Sequence, residues 1–136
     1  MIPNRPDRVT GPRHDDFWAY AARDELRLQR CTACNHVLWP VMATCDHCGG
    51  SEFTWDKMSG RGRIISWCSF VQDYYKGMIP VPYDTIVVEL EEGPFFVSNP
   101  DGFGEDDMTI NMPVEVRFID AQDPAGVFRL PVFGKV

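Results

Sequence analysis

From residue 63 onward, hydrophobic and polar positions alternate with a period of two, the signature of half-buried strands. Ile65, Trp67, Ser69 and Val71 fall on one face of the first run, with Ile64, Cys68 and Phe70 on the other. On this reading Cys68, beside Trp67 and Phe70, is a small buried hydrophobe. Thr85–Glu91 forms a second run, and Gly93-Pro94 turns it into Phe95–Ser98. Asn99-Pro100-Asp101-Gly102 reads as a strong turn. Val114, Val116 and Phe118 then alternate with Glu115 and Arg117, and Phe128–Phe133 supplies a last short strand. Five strands with no helical period between them predict a small Greek-key barrel of the OB type.

The first half has a different rhythm. Pro3, Pro6 and Pro12, interleaved with Arg5, Arg8 and Arg13, predict an extended arm over residues 1–14. Phe17, Tyr20 and Ala21 share one face of a helix over Phe17–Asp24, with Asp15 or Asp16 as its N-cap. A helix this short must pack on something to persist. Leu26 and Leu28 mark a brief strand leading into Cys31, and Val37–Val41 marks another, with Pro40 suited to an edge or bulge. Gly49-Gly50, Gly60 and Gly62 read as a junction. The predicted division is therefore an arm (1–14), a helix with a small metal module (15–60), and a barrel (61–136).

The chemistry lies in the cysteines. Cys31-Thr-Ala-Cys34 and Cys45-Asp-His-Cys48 are two Cys-x-x-Cys knuckles, and Cys68 stands apart. Two residues between cysteines let both thiolates of one turn reach a single ion, and a hairpin joining the knuckles completes a tetrahedral all-sulfur site. Zinc suits such a site, with iron as its main competitor. A closed set of four ligands makes the metal structural. His36 and His47, beside the ligands, read as solvated neighbours.

Charge narrows the functional classes. The chain of 136 residues carries a net charge of −7. Residues 1–63 hold nine basic and eight acidic side chains, whereas residues 64–136 hold four and twelve. An OB barrel that tracked a phosphate backbone would show the opposite sign. A stacking platform of Trp67 and Phe70 is the feature left to a nucleic-acid-binding module, the alternative reading. A free-standing enzyme using Cys68 lacks a base in the barrel, since all three histidines precede residue 48. Glu91-Glu92 and Asp106-Asp107 read as solvated turn residues. The first eight residues hold no apolar signal region and no run reaches the ~20 residues of a membrane span, so the expected location is the cytoplasm, with no membrane partner.

With these residues in place, the chain resembles the acyl-CoA-associated zinc-ribbon/OB-fold family, a domain of unknown function that accompanies thiolase-superfamily enzymes. Phe17-Trp18 followed by Leu26-Arg27-Leu28-Gln29-Arg30-Cys31 looks like the family's helix leading into its ribbon. The two knuckles around Pro40, Ser59-Gly60-Arg61-Gly62, Pro82-Tyr83 before Val87–Gly93, and Met112–Val116 follow in the family's order. Asn35 stands where a glycine commonly follows the first knuckle, and asparagine tolerates the left-handed backbone required there.

The resemblance implies a mainly β chain: an N-terminal helix and rubredoxin-like zinc ribbon, then a five-stranded OB-fold. It implies a non-catalytic subunit with structural zinc on Cys31, Cys34, Cys45 and Cys48. The partner would be a thiolase, acyltransferase or aldolase that makes or breaks a C–C bond next to a CoA thioester, in a hetero-oligomer of two chains of each kind. A partner subunit should expose apolar surface, for which Trp18, Trp39, Trp55, Tyr74, Tyr75, Met78 and Ile79 are candidates. Tyr74, Tyr75, Met78 and Ile79, in a loop rich in aromatics and prolines, are the expected interface. Arg61, Arg63 and Lys76 are the groups to test against CoA phosphates, should the ester be bound jointly with the partner. The zinc-held ribbon is the expected platform for this interface, with the N-terminal arm laid over the partner.

Overall fold

A computed structural model describes residues 3–136; Met1 and Ile2, the first two residues of the expected arm, lie outside them. The chain runs through helix α1 (His14–Ala21) into three short strands, β1 (Arg27–Cys31), β2 (Val37–Leu38) and β3 (Phe53–Lys57). These pair antiparallel in the order β2-β1-β3, with Gln29 opposite Leu38 on one side and Trp55 on the other. This is the ribbon.

The barrel follows in β4 (Arg61–Phe70), β5 (Tyr83–Leu90), β6 (Phe95–Ser98), β7 (Pro100–Asp101), β8 (Pro113–Asp123) and β9 (Gly126–Lys135). Its order is β6-β5-β4-β8-β9-β7, antiparallel throughout except for the parallel pair β7–β9. Because β6 and β7 are separated only by Asn99, they act as one bent strand that leaves β5 and joins β9. The result is the five-stranded OB arrangement, in which the third strand lies parallel to the fifth.

The segment 99–102 is thus a strand crossing and not the expected turn. Asn99 makes the crossing possible: its side-chain amide donates to Asp84 O (2.8 Å), and its carbonyl accepts from Phe133 N (3.1 Å). The last strand is also longer than expected. Pro113–Asp123 and Gly126–Lys135 form a long hairpin whose register holds from Val114–Lys135 to Asp123–Gly126.

A register shift between Ile64 and Ser66 corrects the facing of β4. A bulge adds one residue to one strand, so inward positions switch parity across it. Ile64 is fully buried before the bulge, and Trp67 packs on the same core after it. Cys68 is consequently turned outward and exposed, contrary to the expectation of burial.

The helix begins three residues earlier than predicted. Asp15 N donates to Gly11 O (2.9 Å), and Gly11 N donates back to Asp15 Oδ1 (3.0 Å), so Asp15 lies in the first turn and not at the cap. The helix ends earlier too, with Asp24 in the left-handed region at φ 60°. Its buried residues are Phe17 and Ala21, two of the expected stripe.

Phe17 is the joint between the two sheets. Its ring lies 4.8 Å from Trp39 and 6.5 Å from Phe96, centroid to centroid, and Trp39 lies 4.8 Å from Phe96. A single core therefore runs from Leu26, Leu28 and Met58 in and around the ribbon to Ile64, Ile86, Val88 and Phe133 in the barrel. Trp18, Trp39 and Trp55, expected as exposed apolar surface, pack against it and are partly buried.

The arm lies along this chain's own barrel. Gln122 N donates to Pro3 O and Arg5 N donates to Gln122 O, a parallel bridge onto β8. Arg8 then clasps Asp123, and Trp18 Nε1 donates to Val9 O (3.0 Å). From Pro3 to Val9 the arm is thus tied to its own barrel and helix.

Candidate metal centre

The two knuckles are built as near copies. Cys31 N donates to His36 O (2.9 Å) and Asn35 N to Cys31 O (2.8 Å); in the second knuckle Cys45 N donates to Gly50 O (2.7 Å) and Gly49 N to Cys45 O (2.9 Å). The residue after each second cysteine is left-handed, Asn35 at φ 65° and Gly49 at φ 80°. Asparagine thus does at Asn35 what glycine does at Gly49. β1 delivers Cys31 at its end, and the turn into β2 brings Cys34 beside it. A buried glutamine fixes the segment that carries the second knuckle: Gln29 Nε2 donates to Met42 O (3.0 Å), and Met42 N donates to Gln29 Oε1 (2.9 Å). Alternation around Leu26 and Leu28 places Gln29 among surface positions, so this residue was not legible as a buried clamp.

All four sulfurs lie within 4.8 Å of one another. Cys31 Sγ is 3.5 Å from Cys48 Sγ, and Cys34 Sγ is 3.7 Å from Cys45 Sγ. Four zinc–sulfur bonds of about 2.3 Å give a tetrahedron with edges of about 3.8 Å, so the set fits the ion. Backbone amides already face the sulfurs, His47 N at 3.4 Å from Cys45 Sγ and Gly50 N at 3.4 Å from Cys48 Sγ. The amides of Cys34 and Ala33 draw the Cys31 thiol down to about 7, toward the thiolate that a metal requires. The His36 amide pulls on Cys34 in the same sense, but burial and the neighbouring thiols of Cys48, Cys45 and Cys31 outweigh it and push Cys34 up to about 12. Four thiols this close cannot all ionise without a cation between them. A Cβ at Gly50 would stand 3.1 Å from Cys31 Sγ, so glycine is what lets the second knuckle close over the site.

His36 and His47 stack at 5.0 Å outside this set, and His36 Nε2 lies 3.5 Å from Asp46 Oδ1. They frame the ligands from the surface. Cys68 belongs to β4 and is absent from the cluster.

The other expected site residues are dispersed. Arg61 Nε lies 2.8 Å from Glu91 Oε2, just past the end of β5, and Arg63 Nη2 lies 2.7 Å from Glu89 Oε1 across β4 and β5. Lys76 sits in the 71–82 loop at φ 51°, on a different part of the barrel. In that loop Tyr74 is 65% exposed, Tyr75 and Met78 are 42% exposed, and Ile79 is half-buried. Phe70, considered for a stacking platform, is occupied by Tyr83 at 5.0 Å and 15°. Glu91 and Glu92 are more than solvated turn residues, since Ser59 N donates to Glu92 Oε2 (2.8 Å) and Ser59 Oγ to Glu91 Oε2 (3.0 Å). No helix among the described residues is long and apolar enough to cross a membrane.

Comparison with known proteins agrees with this architecture. Residues 18–54 match the family model for the ChsH2 rubredoxin-like zinc ribbon domain, and residues 55–118 match that for the ChsH2 C-terminal OB-fold domain. A probable enoyl-CoA hydratase alpha subunit of Thermomonospora curvata is 36% identical over 124 residues, 89% of this chain but 37% of that protein. A DUF35 domain-containing scaffold protein of Pyrococcus furiosus is 29% identical over 86 residues, 60% of each chain. The chain therefore spans less than two thirds of these curated relatives. Among solved structures, a chain of the Ltp2-ChsH2(DUF35) aldolase superposes with a TM-score of 0.82 at 29% identity, covering 95% of this chain and 98% of that one. A DUF35 protein of unknown function from Sulfolobus solfataricus shares the fold at a TM-score of 0.60 and 13% identity, over 79% of this chain and 78% of that one. By its matched ribbon, its matched barrel and its four-cysteine centre, the chain belongs to the ChsH2 (DUF35) family of zinc-ribbon/OB-fold proteins.

Proposed function

We propose that this chain is a non-catalytic subunit that completes a thiolase-like acyl-CoA enzyme. The observation that carries the reading is the near end-to-end likeness to the chain from the Ltp2-ChsH2(DUF35) aldolase. The relative named as a probable enoyl-CoA hydratase alpha subunit supports it, since that protein is named as a subunit of an enzyme acting on a CoA ester. The partner supplies the reacting groups for C–C cleavage or formation next to the thioester. Cys31, Cys34, Cys45 and Cys48 hold one zinc ion, which stabilises a ribbon too small to build a core of its own. Four sulfurs fill the coordination shell and leave no place for substrate.

In this reading residues 15–60 and 61–136 work as one rigid platform, because Phe17 welds their cores. The exposed side chains Tyr74, Tyr75 and Met78, with Ile79 beside them, meet the partner, aromatic and methionine side chains being favoured at interface cores. Arg61, Arg63 and Lys76 remain the groups for CoA phosphates, with Arg61 and Arg63 first exchanging their carboxylate partners for phosphate. The complex holds two chains of each kind and works in the cytoplasm, where unlinked thiols at metal spacing persist.

Reconstitution tests this. The partner's turnover of a CoA ester, measured alone and with equimolar zinc-loaded chain, should rise on addition. Equal turnover with and without the chain would refute the reading.

A further inference from the structure

A second concave site lies on the opposite theme to the metal centre: an aromatic hollow with donors and no carboxylate. It occupies about 320 Å3 between the arm, the 71–82 loop and the outer face of β5 and β6. Phe70 and Tyr83, stacked in parallel, line it together with Tyr75 and Ile79 of the loop. Arg5 and Thr85 also line it.

Arg5 is the unusual member. In a chain with twenty acidic residues, its half-buried guanidinium meets no carboxylate among the described residues. Among the described residues its one side-chain hydrogen bond runs from Nη1 to Asn99 Oδ1 (3.1 Å), which leaves the rest of the fork open to a ligand. Asn99 is itself locked by donating to Asp84 O, and Arg5 N is tied to Gln122 O, so the guanidinium is held in place and not swung out into water. The hydroxyls of Tyr83 and Thr85 make no hydrogen bond within the described residues. Burial pushes the Tyr83 phenol upward, so it is a protonated donor at neutral pH. Apolar walls with a few convergent, unspent donors are the makings of a small-molecule site.

We propose that this hollow is a receptor for a carboxylate carried on a flat apolar body, with the charge on Arg5, Tyr83 and Thr85 and the body against Phe70, Tyr75 and Ile79. A guanidinium fork matches a carboxylate in two-point geometry. One cation flanked by neutral donors suits a monoanion. A phosphate dianion asks for a second positive group, and the barrel half, with four bases against twelve acids, repels it. The site is built from this chain's residues alone, and because Tyr75 and Ile79 also belong to the loop assigned above to the partner, its ligand is tested on the chain without a partner.

The test is a chemical-shift titration of the full zinc-loaded chain with benzoate, alongside acetate, benzyl alcohol and inorganic phosphate. Benzoate should shift Arg5, Tyr83 and Thr85 and bind about tenfold tighter than acetate or benzyl alcohol, each of which offers one half of the recognition. Arg5→Gln should weaken benzoate by about tenfold or more, and Tyr83→Phe by about fivefold. Because Arg5 also braces the arm, Thr85→Val provides a variant that keeps shape and loses only a donor, and it too should weaken benzoate. Phosphate binding more tightly than benzoate at the same residues would overturn the carboxylate assignment. Benzoate that leaves Arg5 unshifted, or that binds Arg5→Gln and Thr85→Val undiminished, would overturn the site.

Discussion

Arg8 and Asp123, 115 residues apart, form a three-point clasp: Arg8 Nε donates to Oδ2 at 2.8 Å, Nη2 to Oδ1 at 3.4 Å, and the Arg8 amide to Oδ2 at 3.1 Å. The same guanidinium lies 4.2 Å from the Phe128 ring centroid and 5.4 Å from that of Trp18. The arm is thereby fastened to the tip of the β8–β9 hairpin and to the helix at once. Arg8→Ala should free the arm to proteases and lower the Tm by on the order of 5 °C. Limited proteolysis followed by mass analysis reads the first effect, and calorimetry the second.

The clasp also has a pH signature. The Arg8 guanidinium holds the Asp123 carboxyl down to about 2, below the roughly 3.9 of an unfolded aspartate. A depressed carboxyl contributes its full stability above the unfolded value and loses it as pH falls through the folded one. Between about pH 4 and pH 2, wild-type stability should therefore fall more steeply than that of Asp123→Asn. Urea denaturation across that window measures the two slopes, and parallel slopes would show that the clasp contributes nothing.

Cys45→Ser removes one ligand from a set that needs all four. Zinc content should drop from one ion per chain to well below it, and the ribbon should lose order, since apparent zinc affinities of about 10–16 kcal/mol hold comparable small modules folded. Cys68→Ser, at an exposed position outside the cluster, should keep full zinc. Elemental analysis of both variants after dialysis decides the matter.

Phe17→Ala empties the joint between ribbon and barrel. A buried phenylalanine truncated to alanine costs about 3–5 kcal/mol, and here the loss falls on contacts with Trp39, just past β2 of the ribbon, and Phe96 in β6 of the barrel. Denaturant unfolding should show that destabilisation and, with the joint weakened, a broader transition than the wild type.

Gly60→Ala should be nearly as severe. Gly60 sits at φ 81°, and a Cβ there would stand 2.5 Å from Val116 Cγ1 on β8. The left-handed backbone costs alanine about 1–2 kcal/mol, and forcing β8 aside adds about 1–3 kcal/mol. Equilibrium unfolding reads the combined loss.

What was legible in the sequence was local. The spacing of Cys31, Cys34, Cys45 and Cys48 located the metal centre because each knuckle is closed by hydrogen bonds within six residues. Alternation located the strands because a barrel strand buries every second side chain. The remainder depends on contacts between distant residues. Nothing local to Ile64–Ser66 announces the bulge that turns Cys68 outward, since alternation reads equally well in either register. Asn99-Pro100-Asp101-Gly102 has turn chemistry, and only the presence of β9 makes it a strand crossing. The arm's prolines signalled extension, yet its anchor, Asp123, lies at the far end of the chain. Arg5 looked like its neighbours until the fold left it in a hollow with no carboxylate beside it among the described residues.

Native mass spectrometry on the tagged chain, purified from its own cells at moderate salt, tests the central claim most directly. The account predicts an assembly in which this chain, carrying one zinc ion per copy, is matched one to one by a larger thiolase-superfamily chain. Recovery of the chain alone, or with nucleic acid that washes off as salt rises, would contradict it.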